Sequence, residues 1–158
     1  MTLGFVQPSD EARIYQLLQE VGLPTSDLTS GHFEHFLAMK DGAALLGVVG
    51  VERLSAHRGL LRSLAVKPEY RGKRIGAELL EAAENHACSM GMREIYALTT
   101  TIEPWLTRLG FERSDRETLP EDVRATSEFR SLCPSSAATM RKTLRVPAEG
   151  KPYHFVCA

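Results

Sequence analysis

Seven consecutive residues, Arg71-Gly72-Lys73-Arg74-Ile75-Gly76-Ala77, set three positive charges around two glycines. The apolar run "LLRSLAV" precedes them, and the helical sequence "ELLEAAENHA" follows at once. A strand, a basic glycine loop and a helix start, in that order, form an anion site. The first amides of a helix have no intrahelical acceptor, and the macrodipole is positive there. Glycine lets the backbone come close to the bound group. The usual such anion is a phosphate. A P-loop needs GxxxxGK[ST], which is absent, and a dinucleotide loop needs GxGxxG, which the Gly72 and Gly76 spacing does not fit. What remains is a turn whose successive amides, with the helix N-terminus, cradle a pyrophosphate.

Other residue types could also do chemistry. Glu52 closes the apolar run "LLGVVGVE". It is read either as a general base working through water or as a solvated strand-end carboxylate. Arg62 interrupts an apolar run, and a buried guanidinium needs an anion. That anion is either an internal carboxylate or the carboxylate of a bound small molecule, gripped in bidentate fashion. Ser63 beside it, and Thr99, Thr100 and Thr101 at the end of a later run, supply hydroxyls toward the same region. Threonine is also simply a good strand residue. Tyr96 reads as a sheet residue, His57 as a loop histidine, and Glu103 as a carboxylate favoured at a helix start.

The frame for these groups is a chain of 158 residues, 43% hydrophobic and 25% charged, enough for one domain with a real core. A net charge of -1 argues against a general nucleic-acid binder, so the basic loop is a local feature. No apolar run reaches bilayer length and no signal-peptide pattern opens the chain, which predicts a cytoplasmic location and no membrane partner. Cys88, Cys133 and Cys157 lack zinc spacing. They read as separate reduced thiols, with a soft-metalloid site built from two of them as the other reading.

The elements follow from periodicity and turn chemistry. "LGFVQ" reads as a strand, and "PSDEARIYQLLQEVGL" as a helix with Ser9 as N-cap and Ile14, Leu17, Leu18 and Val21 as its apolar stripe. Three strands, separated by Asp41-Gly42 and by a loop near His57 to Gly59, form an antiparallel meander. A helix follows with Leu79, Leu80, Ala83 and Ala87 on one side. Then come strand "REIYALTT", short helix "IEPWLTRLGF", strand "FERSD", helix "LPEDVRATSEFRSL" and strand "AATMRKTL". The fold class is therefore α/β (α+β), a mixed, mostly antiparallel sheet of about seven strands with helices on both faces. It becomes parallel where the long helix crosses over, right-handed. Residues 1–145 form the single domain, and residues 146–158, with two prolines and a glycine, form a C-terminal tail.

The string "LAVKPEYRGKRIGAELL", supported by "LTRLGF", resembles the GNAT superfamily of acyl-CoA-dependent N-acetyltransferases. The resemblance covers the chain from the first strand to about Leu144. It implies the GNAT fold, acetyl-CoA as co-substrate, no metal, a small-molecule amine as acceptor, and a homodimer. The backbone of Leu64, Ala65 and Val66 would pair with the pantetheine arm, and Arg71, Gly72, Lys73, Arg74, Ile75, Gly76 and Ala77 would hold the pyrophosphate. The family's usual central glycine is Arg74 here, and its usual acid, a tyrosine, is Leu106. Downstream, "LTTTIEPWLTRLGF" and "LCPSSA" resemble bacterial N-acetylglutamate synthase and, more closely, small arsenic-resistance-associated GNAT proteins. These imply acetylation of the α-amino group of a glutamate-like amino acid, or of an arsenic- or phosphorus-containing analogue, with Arg62, Ser63, Thr99 and Thr100 reading it. Two rivals stay open: an acetyltransferase for protein or peptide amines, and a GNAT protein that binds acetyl-CoA or arsenicals without turnover.

Overall fold

The computed structural model describes residues 1–145, so the expected tail lies outside the described residues. In chain order the elements are β1 (Thr2–Phe5), α1 (Glu11–Glu20), α2 (Ser30–Phe33), β2 (Phe36–Asp41), β3 (Ala44–Arg53) and β4 (Arg58–Val66). They continue with α3 (Ile75–Ser89), β5 (Glu94–Thr99), α4 (Glu103–Arg108), β6 (Glu112–Arg113), α5 (Glu121–Arg124) and β7 (Ala138–Thr143). The strands form one seven-stranded sheet in the order β1-β2-β3-β4-β5-β7-β6. Every pairing is antiparallel except β4 with β5, which α3 connects. No helix among the described residues is long and apolar enough to cross a membrane.

The Asp-Gly pair makes the β2–β3 hairpin: Asp41 faces Ala44, and Gly42 takes φ 58°, a conformation glycine adopts without Cβ strain. On one face of the sheet, Leu79, Leu80, Ala83 and Ala87 of α3 pack on Met39, Val49, Val51 and Ile95. On the other, Ile14, Leu17 and Leu18 of α1 pack on Phe36, Val48 and Ala65. Both apolar stripes follow the 3.6-residue period seen in the sequence. Packing is close at the centre, where a Cβ on Gly50 would overlap the Phe36 ring.

Three local expectations need correction. Ser9 does not cap the first helix. It lies in a 3₁₀ turn, Pro8–Asp10, and the capping box joins Gln7 to Asp10, whose Oδ2 accepts from Gln7 N at 2.9 Å and Lys40 Nζ at 3.0 Å. The helix expected after Pro120 is broken into α5 and a π-helical turn, Glu128–Leu132. Thr126 makes the break, its hydroxyl accepting from Phe129 N at 3.2 Å and donating to Val123 O at 2.9 Å. Lastly, Cys133 is a free thiol but Cys88 is disulfide-bonded, against the expectation of separate thiols.

Candidate active site

The site begins where β4 and β5 separate. They pair only from Arg58–Glu94 to Leu61–Ala97, and beyond that point they part, β4 staying on β3 and β5 on β7. The backbone of Arg62 to Val66 is thus unpaired on the β5 side. β4 also bulges. Gly50 faces Arg62 while Val48 faces Ala65, so Ser63 and Leu64 together oppose Val49. Ser63 takes φ 57°, in the left-handed region. The extra residue resets the alternation, placing Leu64 and Val66 with the α3-side core and Ala65 with the α1-side core.

A cavity of about 360 Å³ fills the fork. Its walls are Arg62 to Leu64 of β4, Thr99 to Thr101 after β5, the loop Gly22 to Pro24, and the segment carrying Glu128 and Cys133. The four expected acceptor residues, Arg62, Ser63, Thr99 and Thr100, are therefore brought together. Thr99 is partly committed: its Oγ1 accepts from Thr101 N at 3.2 Å and Ile102 N at 3.0 Å, steadying the turn into α4. Arg130, on the same π-helical turn as Glu128, is exposed and does not line the cavity.

The basic loop sits at the C-terminal end of β4. Arg71, Gly72, Lys73 and Arg74 are all exposed. Gly72 and Arg74 both take left-handed conformations, φ 79° and 65°. The first backbone bond into α3 runs from Glu78 N to Arg74 O at 3.0 Å. The amides of Ile75, Gly76 and Ala77 precede that bond and have no intrahelical acceptor, which is the donor set an anion takes. Gly76 lies against the Trp105 ring, 3.5 Å from where a Cβ would be. The unusual backbone angle at Arg74, where the resemblance expects glycine, is present and is tolerated with a side chain.

The electrostatic centre is Arg62. Its side chain is fully buried and reaches three carboxylates. Nη1 and Nη2 donate to Asp27 Oδ2 and Oδ1 at 2.6 and 2.8 Å, a bidentate pair, and Nη1 also donates to Glu52 Oε2 at 3.2 Å. Glu128 Oε1 lies 3.6 Å from Nη2. Of the two readings open for Arg62, the geometry is that of the internal ion pair. Its fork is filled from within the chain, and an arriving carboxylate would meet three others. Burial works against the charged guanidinium, but the bonds to Asp27 and the charges of Glu128 and Glu52 raise its pKa further. The hydrogen bonds from Arg62 hold the Asp27 carboxyl below its ordinary range, outweighing burial. Burial dominates at Glu128 and pushes it up to about 7, with Arg62 opposing. Asp27, His32 and Glu52 bring donor atoms within 4.8 Å of one another, but both Asp27 oxygens already serve the guanidinium.

Glu52, the base expected from sequence, is one residue from the end of β3, and its side chain is 26% exposed. It does not line the cavity. Neither Asp27, in a polar turn, nor Glu128, in a segment whose spacing reads as one helix, belongs to a motif, and both are far from Arg62 in sequence. The one available signal was Arg62 itself, whose buried charge required partners. Leu106, at the place of the usual acid, is buried at 1% exposure. Tyr96 stands in the sheet core and donates to Glu94 Oε2 at 2.9 Å. Burial, then the Glu128 charge, pushes the Cys133 thiol up to about 11, so it stays protonated.

Comparison with known proteins accords with this geometry. Over 62 residues, 39% of this chain and 14% of the relative, it is 45% identical to the amino-acid acetyltransferase of Pseudomonas syringae pv. syringae. Over the same extent it is 44% identical to that of Pseudomonas aeruginosa strain UCBPP-PA14. The match thus spans about one-seventh of these curated relatives. N-acetylglutamate synthase from Neisseria gonorrhoeae, complexed with coenzyme A and L-arginine, superposes with TM-score 0.77 at 21% identity over 90% of this chain and 32% of that one. The Mycobacterium tuberculosis protein Rv2747, solved with CoA, superposes with TM-score 0.79 at 19% identity over 92% and 100%. At these identities the likeness is one of fold. The sequence model of the acetyltransferase (GNAT) family matches residues 7–111, from the first helix through the meander, the bulged strand and the basic loop to Phe111, and on that match the chain belongs to the GNAT acetyltransferase family.

Proposed function

We propose that the chain moves the acetyl group of acetyl-CoA onto the amine of a small amino acid. The observation that carries this reading is the fork between β4 and β5. It leaves the Arg62 to Val66 backbone open beside a 360 Å³ cavity, with the basic loop at its end. In this reading the pantetheine pairs with Leu64, Ala65 and Val66, as a strand would. The pyrophosphate takes the amides of Gly72 to Ala77 and the charges of Arg71, Lys73 and Arg74, the Arg71 amide being held by Pro68 O at 3.3 Å. A backbone N–H near Val66 faces the oxyanion of the tetrahedral intermediate.

The acceptor enters the cavity from the Thr99 to Thr101 side. Arg62 is held by Asp27 and Glu52, so we assign the acceptor's carboxylate to the hydroxyls of Ser63, Thr99 and Thr100 instead. Relatives named amino-acid acetyltransferases support an amino acid as the acceptor class. The finer reading, a glutamate-like analogue containing arsenic or phosphorus, rests on the strings "LTTT" and "LCPSSA" alone. A thiol-release assay with acetyl-CoA tests both levels, using free amino acids, their amides, a lysine peptide, and phosphorus- and arsenic-containing glutamate analogues. Release driven by free amino acids supports the proposal. Release driven only by the peptide would make the chain a protein acetyltransferase. Tight acetyl-CoA binding without release would make it a binding protein.

A further inference from the structure

Resting on that reading, we propose that Glu128 is the general base, taking the proton from the acceptor's ammonium inside the cavity. Glu128 is the one carboxylate that lines the cavity among the described residues. It is 5% exposed, yet its side-chain oxygens accept no hydrogen bond among those residues. Its neighbours in the cluster differ. Asp27 gives both oxygens to Arg62, and Glu52 accepts from the same guanidinium at 3.2 Å. The contact from Glu128 to Arg62, at 3.6 Å, is an ion pair without a hydrogen bond. A base needs a free lone pair facing the proton it removes, and of the three carboxylates only Glu128 combines that with access to the cavity.

The π-helical turn explains the placement. Glu128 opens the turn, and the Cys133 amide closes it by donating to Glu128 O at 2.8 Å. The backbone is thereby pinned at the cavity wall, which Ser63 also lines. The groups facing the carboxylate are Arg62, Asp27, Glu52 and the Cys133 thiol. Burial, with Asp27 and Glu52 assisting and Arg62 opposing, brings the carboxyl up to about 7, the range in which a base can both accept and release a proton near neutrality.

The ammonium passes one proton to a Glu128 oxygen and becomes a neutral amine. Its lone pair attacks the thioester carbonyl carbon, forming the C–N bond. The C–S bond breaks with its electron pair on sulfur. The second nitrogen proton neutralises the thiolate, giving the amide and free CoA thiol. Glu128 then loses its proton to solvent.

The test is kcat/KM against pH for the amine in the wild type and in Glu128→Gln, Glu128→Asp and Glu52→Gln, with acetyl-CoA affinity measured alongside. In the wild type kcat/KM should rise through a limb near pH 7. Glu128→Gln should lose roughly 10²- to 10⁴-fold in rate and that limb with it, leaving only the pH dependence of the free amine, while acetyl-CoA affinity holds. Glu52→Gln should keep the limb. If Glu128→Gln does not fold, Glu128→Asp decides: it keeps a carboxylate, so it should keep the limb at a lower kcat. A Glu128→Gln enzyme with near-normal rate and the same limb overturns the proposal, as does loss of the limb in Glu52→Gln alone. Should the wild type release no CoA with any amine, the functional reading itself fails, before any variant is compared.

Discussion

Arg74 holds a backbone angle that suits glycine, φ 65° and ψ 7°. An L-residue in that region carries a Cβ conflict of about 1–2 kcal/mol. In the proposed function the left-handed turn presents the following amides outward as a concave donor set. Arg74→Gly should therefore raise the stability of the ligand-free protein by up to about 1 kcal/mol, or roughly 2–4 °C in Tm for a chain of this size. It should also weaken acetyl-CoA several-fold, because one positive charge leaves the phosphates. Thermal denaturation and calorimetry read the two effects separately, and a loss of stability would mean that the angle is held by Arg74 side-chain contacts. Glu128 also makes stability depend on pH. The Glu128 carboxyl is raised from 4.5 to about 7 by folding, so between those values the folded state holds a proton that the unfolded state has released. Stability then falls as pH rises, by an amount on the order of 3 kcal/mol for a shift of this size. Asp27, lowered by Arg62, acts in the opposite sense. Its contribution is in place above the ordinary Asp value and is lost only as pH falls through the depressed one. Denaturant titrations from pH 5 to 8 should show the decline in the wild type, and Glu128→Gln should flatten it.

At the scale of elements, β4 shows what sequence reading could and could not reach. "LLRSLAV" reads as an uninterrupted strand, and every residue of it is in the strand. The bulge left no trace because Ser63 is neither glycine nor asparagine, the usual markers of a left-handed position. In the proposed function the bulge matters: Arg62, just before it, meets the carboxylates, and the backbone groups after it are unpaired on the β5 side. The two ways of seeing Ser63 make opposite predictions. In a regular strand, Ser63→Val should be neutral or favourable, since β-branched residues suit strands. At φ 57° it should cost about 1–3 kcal/mol, because a branched Cβ resists the left-handed region. Chemical denaturation of Ser63→Val decides between them. The segment after Pro120 failed for the opposite reason. Its apolar spacing is helical, so periodicity joined what the Thr126 hydroxyl separates. That break turns Glu128 into the cavity, where a continuous helix read by period alone placed no functional group.

For the molecule as a whole, the meander and the parallel crossover were legible because each rests on neighbouring segments: a hairpin turn, then a strand joined to a strand by a helix. The position of β7 between β5 and β6 was not, since it depends on contacts across the chain. Lys142 of β7 is one of them, donating to both Glu84 oxygens of α3, at 2.9 and 3.0 Å, and to Leu109 O after α4, at 2.8 Å. The consequence is a sheet whose two halves are each tied to α3, with the fork between them held open over the site. A cofactor laid along that fork would touch β4, the loop and the start of α3 together, so its binding should stabilise the whole fold. At a concentration 100 times Kd the gain is about 2.7 kcal/mol, which is several degrees in Tm. Gly76 separates fold from ligand in this test. A Cβ there would stand 3.5 Å from Trp105 and 3.8 Å from Val66, ordinary contacts that require no movement. Gly76→Asp should therefore melt within a few degrees of the wild type when free of ligand, yet show no rise in Tm with acetyl-CoA, because its carboxylate stands where the phosphates approach the amides. If the mutant gains as much from acetyl-CoA as the wild type does, the loop at Arg71 to Ala77 caps α3 and the pyrophosphate lies elsewhere.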